Sequence, residues 1–109
     1  MSIFVVVILS EKEEKIRVPV LPAACFYHDE EKYTVEIELP GADKKNISLE
    51  VSDGGLCVKA PRNDLEYFGC WVFAHAVKPK DAKASFKDGL LTVTVPLAKS
   101  LKGVKVPIE

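Results

Sequence analysis

Three stretches of this chain alternate apolar and polar residues with period two, and no stretch carries a convincing amphipathic-helix pattern. Tyr33, Val35, Ile37 and Leu39 alternate with Thr34, Glu36 and Glu38. Ile47, Leu49 and Val51 alternate with Ser48 and Glu50, and Leu91, Val93 and Val95 with Thr92 and Thr94. Side chains of a strand point alternately to its two faces, so each stretch predicts a half-buried strand of an antiparallel sheet. Between the first two, Pro40-Gly41 and the polar run Asp43 to Asn46 end one strand before the next begins. Asp53-Gly54-Gly55 is read as supplying the positive-φ residues of a tight hairpin, with Leu56 to Ala60 running back as a third strand. Asp88-Gly89 reads the same way between Ala82–Phe86 and Leu90–Val95.

Two regions are less regular. Pro61 to Gly69 reads as a connection. Trp71 to Val77 then has the aromatic and β-branched content of a fourth strand, with Trp71, Phe73, His75 and Val77 on one face, and Trp71 is a candidate core or interface anchor. Short X-Pro apolar segments flank the whole: Ile16-Arg17-Val18-Pro19-Val20 before it, and Val104, Val106 and Ile108, separated by Lys105 and Pro107, after it. At least six short strands at short spacing predict an all-β sandwich. At 109 residues there is one core to build.

The chain balances 15 basic against 16 acidic residues, a net charge of −1, so no single-sign field marks nucleic acid or an anionic membrane as a partner. The apolar run Ile3 to Leu9 has no basic residue before it and meets the charged stretch Glu11 to Lys15. That pattern is unlike a signal peptide, and the run is too short to span a bilayer. Cys25, Cys57 and Cys70 form no close pair in sequence and no even-numbered disulfide framework. Together these features predict a soluble, cytoplasmic protein in a reducing compartment.

Chemistry-bearing motifs are thin. No C-x-x-C occurs, Cys25 and His28 stand alone, and Cys70 and His75 would face opposite sides of a strand, so no zinc site and no Cys-His nucleophile is expected. There is no glycine-rich phosphate loop, so neither a nucleotide nor any other cofactor is expected, and the chain does not read as an enzyme.

Leu39-Pro40-Gly41-Ala42 leading into Asn46-Ile47-Ser48-Leu49-Glu50-Val51 resembles the strand crossing of the α-crystallin domain of small heat-shock proteins. Ala84-Ser85-Phe86-Lys87-Asp88-Gly89-Leu90-Leu91-Thr92-Val93-Thr94-Val95-Pro96 is similar to that family's signature: an alanine, an aromatic, D-G, then L-x-V-x-V-P. Both occur in the family's order with Asp53-Gly54-Gly55-Leu56 between them, and the resemblance covers roughly residues 25 to 96. Val106-Pro107-Ile108 further resembles the family's short I-x-I type subunit anchor.

The resemblance implies an immunoglobulin-like antiparallel β-sandwich over residues 25–97. A short apolar and charged arm, 1–24, would precede it, and an extension carrying the anchor Val104, Val106 and Ile108, 98–109, would follow. It implies an ATP-independent holdase that binds exposed apolar segments of non-native proteins and self-associates into dimers or larger assemblies. The peptide groove would lie between Ile47, Leu49 and Val51 on one strand and Ala84 and Phe86 on another. Ile3, Phe4, Val5 and Val7 of the arm, with Trp71, are apolar enough to contact clients or sibling chains. Two departures stand out. Only Pro61 to Gly69 occupies the place of the family's long swapping loop, and Phe73 stands near where an arginine usually reaches the dimer seam, so the dimer interface would be non-standard. These departures suit an alternative on the same fold, a CS-domain-like co-chaperone or adaptor for one folded partner. A third reading, a redox or metal protein built on the cysteines, would need bound metal or an activated thiol.

Overall fold

In the computed structural model, which describes residues 16–109, two of the three alternating stretches form the centre of one of two packed sheets, and the third, Ile47 to Val51, runs along the edge of the other. Strand β3 (Lys32–Glu38) runs antiparallel to β8 (Leu90–Pro96), pairing Tyr33 with Val95, Val35 with Val93 and Ile37 with Leu91. All six of these side chains are buried, while Thr34, Glu36, Thr92 and Thr94 face outward. β2 (Ala24–His28) pairs with the other edge of β3, and β7 (Lys83–Lys87) with the other edge of β8. The order of this sheet is therefore β2-β3-β8-β7.

The second sheet has the order β1-β6-β5-β4. β4 (Ser48–Ser52) and β5 (Gly55–Pro61) form one antiparallel hairpin, and β5 continues into β6 (Leu65–Val72) through another. β1 (Val18–Val20), from the segment that the sequence places in the N-terminal arm, lies parallel on the outer edge of β6. The core between the sheets joins Tyr33, Val35, Ile37, Leu91, Val93 and Val95 to Leu56, Val58, Ala60 and Tyr67. Each large apolar side chain taken fully out of water there contributes about 1.5–3 kcal/mol. The described residues form no helix long and apolar enough to cross a membrane.

Several sequence expectations need correction. Pro61 to Gly69 is not a connection: β5 runs to Pro61, β6 starts at Leu65, and only Arg62 to Asp64 turn between them, closed by Arg62 N–H donating to Leu65 O at 2.7 Å. Leu65, Tyr67 and Trp71 do alternate inward, but Phe68, Cys70 and Val72 on the outer face hide that alternation in the sequence. The strand expected over Trp71 to Val77 therefore ends at Val72. Phe73 to Val77 is an irregular crossing that buries Phe73 and Val77 and leaves His75 exposed, not the one-faced strand expected. It is tied down by Phe73 N–H to Gly54 O (2.9 Å), Val77 N–H to Asp53 O (3.0 Å) and Ala74 N–H to the Tyr33 hydroxyl (3.0 Å). β2 was not anticipated at all.

The turns differ in mechanism. Asp88 (φ 52°) and Gly89 (φ 80°) both take positive φ, as a type I′ hairpin requires. The β4–β5 hairpin forms across Asp53-Gly54 as expected, but neither Gly54 nor Gly55 has positive φ. Gly55 is needed there for space, because a Cβ would run into the Trp71 carbonyl oxygen. At Leu39-Pro40-Gly41-Ala42, Gly41 (φ 84°) follows proline and Ala42 N–H donates to Leu39 O at 3.1 Å, the arrangement of a type II turn.

The cysteines also depart from expectation. Cys57 and Cys70, 13 residues apart, are directly opposite each other on β5 and β6 and form a disulfide with a Cα–Cα distance of 4.1 Å. Linear spacing cannot reveal a pair that only strand register creates, so the cysteine count carries no argument for a reducing compartment. Cys25 is free and exposed.

Candidate functional site

β4 and β7 are the outer strands of their respective sheets, and both leave an edge unpaired on the same side of the sandwich. The gap between them is a groove of about 320 Å³ lined by Ile47, Leu49, Ala84, Phe86 and Leu91, with Lys44 and Ser85 beside them. Ile47, Leu49 and Phe86 are half-buried and Ala84 is exposed, so the groove presents apolar surface to solvent above a buried Leu91 floor.

Local chemistry places each wall. After the Pro40-Gly41 turn, Asp43 caps a single 3₁₀ turn, Lys44–Asn46: its carboxylate accepts from Lys45 N–H at 3.3 Å and its carbonyl from Asn46 N–H at 2.8 Å. Ile47 N–H then donates to Lys44 O at 3.3 Å, which sets Ile47 at the mouth of the groove immediately before β4. On the other wall, β7 presents Ala84 and Phe86 inward, paired with Val93 and Leu91 of β8. The two motifs that carry the resemblance touch: Leu39 N–H donates to Gly89 O at 2.7 Å, and a Cβ on Gly89 would press against Pro40 Cα at 3.3 Å. The contact joins the loop that leads into β4 to the turn that leaves β7, the groove's two walls.

The structure brings four of the five expected groove residues together. Val51 sits past the end of the groove, in a separate concavity at the Asp53–Gly54 turn that also includes Trp71, Leu56 and Val72. Trp71 is half-buried against Phe26, with ring centroids 5.8 Å apart, and Phe26 in turn meets Phe73 at 6.0 Å, so packing accounts for its position. Val104, Val106 and Ile108 are 85%, 77% and 95% exposed and belong to no strand. The chain leading to them is held only as far as Lys102. Leu101 N–H donates to Glu30 O (2.9 Å), Ser100 Oγ to Glu31 (3.1 Å) and Lys102 N–H to Ser100 Oγ (3.1 Å). Ile3, Phe4, Val5 and Val7 lie outside the described residues.

Sequence reasoning missed Arg62. Its Nη1 donates to Pro40 O (2.9 Å) and the Tyr67 hydroxyl (3.2 Å), its Nε reaches Asp64 (3.3 Å), and Tyr67 donates to the same Pro40 carbonyl at 2.8 Å. Hydrogen bonding to Asp64 holds the guanidinium above its ordinary pKa. Arg62 thus ties the β5–β6 turn to the Pro40-Gly41 turn. No sequence signal marks it, because the partner that gives it this role is a backbone carbonyl, Pro40 O, 22 positions away in the chain.

His28 does not stand alone: its ring meets His75 at 5.1 Å and Tyr33 at 4.9 Å. Among the described residues, no three His, Cys, Asp or Glu side chains gather in a way that could hold a metal ion.

The Hsp20/alpha crystallin family model matches residues 26–109. The 23.6 kDa mitochondrial heat shock protein of rice (Oryza sativa subsp. japonica) is 35% identical over 68% of the chain, which spans only 42% of that relative's length. The probable 15 kDa heat shock protein of Leptospira interrogans is 27% identical over 94% of the chain and 91% of its own. Among solved structures, heat shock protein 16.0 from Schizosaccharomyces pombe superposes with a TM-score of 0.69, covering 83% of this chain and 99% of that one. At 19% identity that likeness speaks for the fold alone.

Proposed function

Because this chain belongs to the Hsp20/alpha-crystallin family, the small heat-shock proteins, we propose that it is an ATP-independent holdase whose β4–β7 groove captures exposed apolar segments of non-native proteins. The groove itself is the observation that carries this reading. Two unpaired strand edges offer backbone donors and acceptors to an extended peptide, and Ile47, Leu49, Ala84 and Phe86 offer apolar walls to every second side chain of it. Such capture is indifferent to client sequence beyond alternation, as a holdase requires, and it needs no bond-making chemistry. Self-association belongs to the same proposal: the exposed Val104, Val106 and Ile108 have the alternation that the groove accepts.

One observation favours the adaptor reading. The β5–β6 connection is a three-residue turn, Arg62 to Asp64, with no additional strand to exchange with a partner, so a family-type dimer would need another interface. An aggregation assay separates the two. Stoichiometric protein without nucleotide suppresses light scattering from a thermally unfolding client if the chain is a holdase. Unchanged scattering, together with recovery of one folded stoichiometric partner, would replace the holdase by the adaptor.

A further inference from the structure

The two X-Pro segments have the same sequence form and opposite fates. Ile16-Arg17-Val18-Pro19-Val20 and Val104-Lys105-Val106-Pro107-Ile108 share the order β-branched, cation, valine, proline, β-branched. The first supplies β1, which lies on the edge of β6 with Val18 opposite Leu65, Pro19 opposite Glu66 and Val20 opposite Tyr67. The second belongs to no strand and is exposed throughout.

What the β6 edge asks of β1 is modest and can be read residue by residue. Val18 N–H donates to Asp64 O across a long 3.5 Å. In a parallel ladder alternate residues bond to the neighbouring strand, so when Val18 bonds to β6, Pro19 faces away and its missing N–H costs nothing. Arg17 Nε donates to Arg62 O at 2.7 Å. Val20 is half-buried against the core beside Tyr67, whereas Ile16 and Val18 are 97% and 63% exposed. Val106, Pro107, Lys105 and Ile108 meet each of these demands in turn, the lysine ammonium donating where Arg17 does. Ile108 also adds a methylene where Val20 packs.

We infer that the edge of β6 is a second docking site, which takes residues 104–108 of another copy of this chain as a parallel strand in place of β1. The donor is another copy because the chain's own tail cannot reach. The tail is tied to Glu30 and Glu31 at the start of β3, whereas the Arg62 turn is bonded to Pro40 just past its end. That is about eight residues of strand, roughly 26 Å. From Leu101 to Lys105 the chain spans at most about 14 Å fully extended. Docking on β6 is distinct from docking in the β4–β7 groove, and β1 acts as the resident competitor that a neighbour's tail must displace.

The test uses full-length protein with Glu109 replaced by p-benzoylphenylalanine, mixing isotopically heavy and light chains before irradiation. In parallel register Glu109 falls opposite Phe68, so heavy–light linked peptides joining position 109 to residues 66–70 are expected. Val20→Asp, which unseats β1, raises their yield about tenfold, the factor that half-burial of one valine is worth. Val18→Pro, which removes one donor and leaves the core face intact, raises it less and stands in should Val20→Asp fail to fold. Links confined to residues 47–51 and 83–87, links to β6 within one isotope only, a yield insensitive to both substitutions, or no link at all would overturn the inference. None of these outcomes bears on whether the groove suppresses client aggregation.

Discussion

The pair β3–β8 and the pair β5–β6 each form the centre of a sheet, and each lays one apolar face on the same core. Their outer faces differ. Behind Val35, Ile37, Val93 and Val95 stand Thr34, Glu36, Thr92 and Thr94. Behind Val58, Ala60 and Tyr67 stand the Cys57–Cys70 disulfide, Phe68 at 50% exposure and Val72 at 86%, with one ion pair, Lys59–Glu66, among them. One pair is therefore held by burial against a wet back, the other by burial plus a covalent tie across a largely apolar back. The core therefore specifies the sandwich, while the outer face decides how plainly the sequence announces it.

The largest expected effect lies in the first pair. Ile37 is fully buried, and Ile37→Ala removes about 2–5 kcal/mol of stability in denaturant unfolding. A loss below about 1 kcal/mol would mean that β3–β8 does not depend on burial. Next comes the covalent tie. Replacing both Cys57 and Cys70 by serine lowers stability by about 3 kcal/mol, as expected for a loop of this length, and dithiothreitol lowers the wild-type melting temperature to match. If neither treatment moves the melting temperature, the second pair is held by its core face alone.

That contrast also explains what the sequence could disclose. β3 and β8 were legible because polarity alternates on them. β6 was not, because after Glu66 its outer positions are Phe68, Cys70 and Val72, which hide the alternation and make its sequence read as a connection followed by a strand set too late. β2 was missed because Ala24-Cys25-Phe26-Tyr27-His28 carries no polar alternation to read. The disulfide depends on register and the Arg62 hub on the distant Pro40 carbonyl, neither of which a linear scan contains. Ile47, Leu49, Ala84 and Phe86 of the groove could be read because they belong to two stretches that the family resemblance assigns to one groove. Val51 shares their alternation but lies one step too far along β4.

The smallest effect concerns the turns that end the two pairs. The β5–β6 turn is held by Arg62, whose charge persists across the accessible pH range, whereas the β2–β3 turn is held by Asp29. The Asp29 carboxylate accepts from Glu31 N–H (2.7 Å) and Lys32 N–H (2.8 Å), and these bonds hold its pKa below the ordinary 3.8. A carboxyl whose pKa is lowered on folding stabilises above its unfolded value and loses that contribution as pH falls through the folded one. Asp29→Ala therefore slightly lowers the melting temperature at pH 7 and leaves it unchanged well below pH 3.8, which thermal scans across pH would show. An equal loss at both pH values would mean that the turn does not depend on the carboxylate charge.

The most direct test of the central claim is nucleotide-free suppression of client aggregation by wild type and by Ala84→Asp. Ala84 lines the groove yet is exposed, so the substitution places a charge between the apolar walls at little cost to the fold. Ala84→Asp is expected to keep the wild-type melting temperature and to lose most of the suppression. Full suppression by a folded Ala84→Asp protein would contradict it, because the clients would then be held elsewhere.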